Sequence, residues 1–335
     1  MAGRSYVGRS SGPHIRFARR WYLVGLAWGE TPAPHQPPAT CHLPAVVVFA
    51  RAPVAGQAKT RLIPLLGPQG AAGLQAALVS DTLRKVAALR GCVQPYLFLT
   101  GQSISFRRGA VRASRPPSRE RLAPALAGST NHRFWPPRSF LKPVDTHKCN
   151  RNARATFSWA PACFGEFRII RQQGKDLGER LENTFRRLLL LHPSCVVIGT
   201  DSPLIPARIL RQALRELHTC ESVVGPCPDG GYYLIALRGS IDPGMLRGIF
   251  RSVRWSTAFA LRDTLRNLLR LDLTCSVLEG YADVDLPGDL QCLKKNLSQN
   301  SAARRLAPAT WKFLKASVVR CQSSVAETSR ATSAN

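Results

Sequence analysis

Ala45-Val-Val-Val-Phe-Ala-Arg51-Ala-Pro-Val-Ala-Gly56-Gln-Ala-Lys59-Thr60-Arg61 is an apolar, β-branched run that breaks into a basic, glycine-containing loop. Such a run, with no polar alternation, fits a strand buried on both faces, as in parallel sheets, and parallel strands need crossover helices. The pattern downstream supplies them. Leu74, Leu78, Val86 and Leu89 recur at helical spacing behind Pro68 and predict a helix over 69–90, followed by a strand over 93–100. A helix over 175–191, with Leu177, Leu181, Phe185, Leu188 and Leu189 on one stripe, leads to a second continuously apolar strand at 195–199. Then come a helix opened by Pro206, strands over 222–225 and 232–237 around a turn, a helix over 258–271, a strand over 274–279 and a last helix opened by Pro287. Strand and helix alternating in this way predict an α/β layered fold with a mainly parallel sheet.

The 335 residues carry a formal charge of +27, which first suggests a nucleic acid or an anionic membrane. The charge is unevenly placed: segments 1–44, 101–165 and 301–335 hold +4, +10 and +5 of it. These segments are rich in Pro, Ser, Gly and Ala and lack a periodic apolar pattern, so they read as tails and an insertion. The expected layout is a basic extension over 1–44, one domain over 45–298 interrupted by an Arg/Pro/Ser-rich insertion over 101–168, and a tail over 299–335. The insertion has few aromatics for base stacking, so nucleic acid is not the expected partner. The ten cysteines include no C-x-x-C pair, which favours a reduced compartment. A cytoplasmic location is expected, with organelle import by the arginine-rich extension as the alternative. The apolar run 21–28 is too short to span a bilayer, and no transmembrane segment is expected.

In parallel sheets, ligands sit outside the carboxyl ends of the strands. After the first strand, Arg51, Gly56, Lys59, Thr60 and Arg61 form a loop that can present backbone N–H groups and cations to a pyrophosphate. The spacing matches neither a Walker A loop nor G-x-G-x-x-G. After the strand at 195–199 comes Thr200-Asp201-Ser202-Pro203, where Asp201 can either ligate Mg²⁺ or cap a turn. Asp229-Gly230-Gly231 between apolar strands reads as a hairpin turn. Asp283 and Asp285 lie on an alternating stretch that puts both carboxylates on one side, which suggests a cation between them. Asp289, just inside the last helix, favours its N-terminal dipole.

The ordered segments VFARAPVAGQAKTRL, QGKDLGERL, VVIGTDSPLIP, VVGPCPDGGYYLIAL, RWST and DVDLPGDL resemble the bacterial DUF2064 family over 45–100 and 170–295. That family is treated as a glycosyltransferase of the GT-A superfamily, often associated with arsenosugar-type biosynthesis. The resemblance implies a three-layer, Rossmann-type GT-A fold. It also implies that Arg51, Gly56, Lys59, Thr60 and Arg61 hold the nucleotide phosphates, with Lys59 taking part in catalysis. Asp201 and Asp285, with Asp283, would ligate Mg²⁺ or Mn²⁺. Asp229 would face the acceptor or act as base, and Gly230, Gly231, Tyr232 and Trp255 would line the acceptor side or support it. Leu286 stands where the family has Thr, so the last helix loses a hydroxyl cap.

The function implied is metal-dependent transfer from a nucleotide sugar to a small-molecule acceptor. The alternatives are a nucleotidyltransferase using a nucleoside triphosphate and, from another class, a basic nucleic-acid-binding protein or an inactive relative.

Overall fold

The computed structural model describes residues 41–101 and 161–316. Residues 1–40 of the expected extension over 1–44 and most of the expected insertion lie outside them.

Seven strands form one sheet: β1 (Ala45–Arg51), β2 (Gln94–Thr100), β3 (Arg168–Arg171), β4 (Ser194–Ile198), β5 (Ser222–Pro226), β6 (Tyr232–Arg238) and β7 (Cys275–Val277). Their order is β3-β2-β1-β4-β6-β5-β7. β1 pairs in parallel with β2 and β4, β2 with β3, and β5 with β7, whereas β6 is antiparallel to both β4 and β5. The single reversed strand has a consequence for function. It brings the start of β6 to the same edge as the carboxyl ends of β1 and β4.

The helices are α1 (Ile63–Ala87), α2 (Leu177–Leu188), α3 (Ala207–Glu216), α4 (Leu246–Phe250), α5 (Ala260–Arg270), α6 (Pro287–Gln299) and α7 (Ser301–Leu306). Side chains alternate across β1, so Val46 and Val48 join one core with Val79 and Leu83 of α1 and Ile209 and Leu210 of α3. Ala45 and Val47 join the other, with Leu181 and Phe185 of α2, Ile249 and Phe250 of α4 and Leu268 of α5. The result is a three-layer α/β domain. Asp176 caps α2 by accepting from the Glu179 N–H at 2.8 Å, and Pro206 opens α3.

α1 breaks at Gly67, whose φ of 67° only glycine adopts freely, and Pro68 restarts it in the first-turn position where a missing N–H costs nothing. By length and composition Thr60–Ala87 could cross a membrane, contrary to the sequence expectation. Here it is the core helix between the sheet on one side and the α6 cluster on the other.

Three features depart from the expected layout. Ala162–Glu166 forms a 3-10 turn and β3 begins at Arg168, so the end of the expected insertion belongs to the fold; Phe164 and Phe167 are buried in the core beside α1. The helix α4 was not anticipated. The expected tail from 299 is also folded as far as 316, with α7 and a helix over 308–316 placing Ala303, Ala307 and Leu314 against Leu62, Leu74 and Leu78. Charge density in these stretches hid short amphipathic elements that only packing stabilises. Leu314→Ala should therefore lower stability by about 2–4 kcal/mol, read as a lower urea midpoint; a tail outside the fold would leave the midpoint unchanged.

Candidate functional site

The loop after β1 folds back on itself. Gly56 adopts φ 78°, and the Arg51 guanidinium donates to the Gln57 carbonyl at 3.0 Å. Lys59 is left-handed, at φ 47° and ψ 46°, an uncommon conformation for a residue with a Cβ. That backbone turn sends its side chain inward, where it is 6% exposed. The ammonium meets Asp201 Oδ1 at 2.7 Å and donates to Asp285 Oδ1 and the Val284 carbonyl, each at 2.8 Å. Burial pushes the Lys59 pKa down, but the Asp201 and Asp285 carboxylates outweigh it and hold the amine above its ordinary value. Lys59 is a fixed cation between two acids more than eighty residues apart.

Val284 is what brings them together. Its N–H donates to the Asp201 carbonyl at 2.9 Å, and its side chain packs among Leu62, Leu74, Leu78 and Leu290. Asp285, the next residue, then faces the crevice. Asp285 is held further by Asp289, whose Oδ2 accepts from the Asp285 and Leu286 N–H groups at 3.1 and 2.7 Å. Asp289 thus supplies the cap for α6 that Leu286 cannot.

Arg51, Lys59, Thr60, Arg61, Thr200, Asp201, Tyr232 and Asp285 line one cavity of about 470 Å³, a size suited to a small-molecule ligand. Three cations face two carboxylates there, so the walls favour an anion. Gln75 also lines it, buried on α1, with its amide donating to the Arg51 carbonyl at 3.2 Å and to Thr200 Oγ1 at 3.4 Å. It ties the carboxyl ends of β1 and β4 together. Sequence reading passed over it, although a lone amide inside an apolar helical stripe was a visible signal.

Asp283 goes elsewhere. Its carboxylate lies with that of Asp229 and the Cys227 thiol, all three within 4.8 Å of one another, a group whose donor atoms could hold a metal ion. Burial, then Asp229, then Asp285 push Asp283 up to about 6. Burial and the same two acids, Asp283 and Asp229, push Cys227 up to about 12. Asp229 is exposed and accepts from the Gly231 N–H at 2.9 Å, so the hairpin reading of Asp-Gly-Gly describes its local bonding. Gly230 has a separate reason to be glycine: at φ 86°, a Cβ would lie 2.2 Å from the Ala258 carbonyl oxygen.

Trp255 is not part of the cavity wall. It packs edge-on to Tyr232 at 6.2 Å between centroids and over Gly178, where a Cβ would meet its indole nitrogen at 2.8 Å. It therefore wedges the start of α2 against β6.

Residues 135–257 match a family described as uncharacterized proteins conserved in bacteria, DUF2064. That stretch takes in Asp201, Asp229 and Trp255, but not the 51–61 loop or Asp283 and Asp285, whose place in the site rests on geometry. The fold resembles a candidate nucleotide-diphospho-sugar transferase from Desulfovibrio desulfuricans, with TM-score 0.60 and 23% identity over 83% of this chain and 96% of that one. Looser likenesses reach 4-diphosphocytidyl-2C-methyl-D-erythritol synthase from Anaerococcus prevotii (TM-score 0.43, 8% identity, 77% and 99% covered) and a cytidylyltransferase from Leptospira borgpetersenii (0.43, 12%, 85% and 97%). No curated protein matches the chain. The segment similar to DUF2064 thus sits in a chain whose fold resembles that of the Desulfovibrio protein.

The raised Asp283 pKa makes a stability prediction. Below about pH 4 the carboxyl is neutral in the folded and unfolded chain alike; between pH 4 and 6 only the unfolded chain gives up the proton, so Asp283 destabilises the fold increasingly as pH rises. Asp283→Asn should raise stability at pH 7.5 by about 1 kcal/mol after solvent screening and change nothing at pH 4, as measured by urea denaturation at the two pH values.

Proposed function

We propose that this chain transfers a glycosyl group from a nucleotide-sugar donor to a small-molecule acceptor, with a divalent metal ion assisting. The observation that carries the reading is the meeting of Lys59 with Asp201 and Asp285 beside Arg51 and Arg61 in one cavity. Buried carboxylates paired only for structure would be shielded, yet these two side chains are 45% and 41% exposed.

The residues fit a hard divalent ion. Asp201 and Asp285 offer oxygen donors, their Oδ1 atoms are engaged by Lys59, and no described group bonds either Oδ2. Mg²⁺ and Mn²⁺ take carboxylate and phosphate oxygens together, so these two residues would hold such an ion against a diphosphate. Bound there, it would supply positive charge to the leaving group.

The chain's own residues do the rest. Arg51, Thr60 and Arg61 bind diphosphate oxygens along the loop, with the arginine forks suited to paired phosphate oxygens. Lys59 is fixed in advance where negative charge grows as the glycosidic bond to the diphosphate breaks, so it costs no reorganisation at that moment. Gln75 holds the two strand ends at a constant spacing. Asp229, exposed in the turn before β6, receives the proton of the acceptor hydroxyl.

Thermal unfolding with a panel of nucleotides and nucleotide sugars, each with and without Mg²⁺, tests the reading. A saturating ligand at a hundred times its Kd should stabilise by about 2.7 kcal/mol and raise the Tm by several degrees. Asp201→Ala should remove the metal-dependent part of the shift; an unchanged shift would take Asp201 out of the site. Product analysis then separates glycosyl transfer, which releases a nucleoside diphosphate, from nucleotidyl transfer through the same loop, which releases pyrophosphate.

A further inference from the structure

Lys85 is a lysine in the wrong place. It lies on α1 and is only 8% exposed, a burial uncommon for lysine. Its ammonium donates to the carbonyl oxygen of Pro203, two residues beyond Asp201. One helical turn earlier is Asp81, 1% exposed, which accepts from the Ala309 and Thr310 N–H groups at 2.8 Å each and from Thr310 Oγ1 at 2.7 Å. Asp81 is thus the cap of the helix over 308–316. Burial pulls the Lys85 pKa down to about 8 and the Asp81 charge opposes this, so the amine is still largely protonated at neutral pH.

Burying these two charges does not help stability by itself, since desolvated opposite charges are often no better than apolar groups of equal volume. What an apolar pair could not do is hold the Pro203 carbonyl. Apart from the Lys59 ammonium on Asp201 Oδ1 at 2.7 Å and a side-chain contact of Ser202 with Cys227, the Thr200-Asp201-Ser202-Pro203 turn is anchored by few bonds: Val284 N–H to the Asp201 carbonyl at 2.9 Å, Ile205 N–H to the Ser202 carbonyl at 3.4 Å, and the Gln75 amide to Thr200 Oγ1 at 3.4 Å. Two of these are at the long limit of a hydrogen bond. Lys85 adds a charged donor at the far end of the turn.

We propose that Lys85 is a positioning residue, clamping the turn that carries Asp201, while Asp81, one helical turn away, is fixed by the helix over 308–316. Its effect on ligand binding rests on the reading of Asp201 as a metal ligand; the clamp itself does not. The folded C-terminal segment then has a purpose beyond covering apolar surface. By supplying the N–H groups that satisfy Asp81, it keeps a carboxylate in place to balance the buried amine.

The test uses the full chain and four variants: Lys85→Met, the double variant Asp81→Asn/Lys85→Met, Asp201→Ala, and Asp201→Ala combined with Lys85→Met. The double variant removes both charges at similar volume, so it guards against a Lys85→Met chain that folds poorly around an unbalanced Asp81. Two quantities are read: amide hydrogen exchange at Ile205 and Val284, whose N–H groups bond the turn, and the Kd for Mn²⁺ alone. The clamp predicts at least tenfold faster exchange at both amides in both Lys85 variants, while the Gln94 amide, bonded to Pro44 at the opposite end of the sheet, keeps its rate relative to global unfolding. It also predicts at least fivefold weaker Mn²⁺ binding, and no further loss when Lys85→Met is added to Asp201→Ala. Unchanged exchange at Ile205 and Val284 overturns the proposal. So does Mn²⁺ binding that falls in Asp201→Ala but is untouched in both Lys85 variants. If Asp201→Ala leaves Mn²⁺ binding intact, the metal reading of Asp201 fails, and the exchange rates alone then decide whether Lys85 holds the turn.

Discussion

A single ammonium joins three distant parts of this chain. Lys59, at the end of the first loop, sits between Asp201 after β4 and Asp285 before α6. Two carboxylates brought this close repel each other, and in a partly desolvated crevice that repulsion is not screened away. The loop, the turn and the segment before α6 can share one cavity wall because a buried cation lies between them. The left-handed backbone at Lys59 follows from the same demand, since an extended loop would carry the side chain outward.

The fold delivers these pieces to one edge by its topology. β1 and β4 are adjacent and parallel, so their carboxyl ends lie side by side, and the reversed β6 adds Tyr232 and the Asp-Gly-Gly turn from the other direction. Val284 then works as a rivet: its side chain is in the apolar cluster of α1 and α6, and its backbone is bonded to Asp201 and Lys59. Chemistry and core are in this way the same contacts. A change in the packing of α6 would be felt at Asp285.

Much of this was legible beforehand, for identifiable reasons. The strands 45–51 and 194–198 read clearly because strands buried on both faces are continuously apolar, and the residues after them could be singled out because parallel sheets bind ligands at that end. What could not be read was pairing. Alternation places Asp283 and Asp285 on one side of their segment, but only the fold shows that they serve different neighbours, Asp229 and Cys227 for one and Lys59 for the other. β3 was hidden because Arg168-Ile-Ile-Arg171 is four residues long, at a sheet edge, in the shadow of a basic, proline-rich stretch. The helices after residue 300 were hidden for a similar reason, since their stability comes from Leu62, Leu74 and Leu78 far away in sequence.

A double-mutant cycle between Lys59 and Asp285 tests the central interaction most directly. Lys59→Met, Asp285→Asn and the pair together are compared by urea denaturation at low salt. The geometry predicts a coupling free energy of at least about 1 kcal/mol, since the contact is close and the amine is shielded. Additive effects would contradict it, and the crevice described here would lose the cation that holds it together.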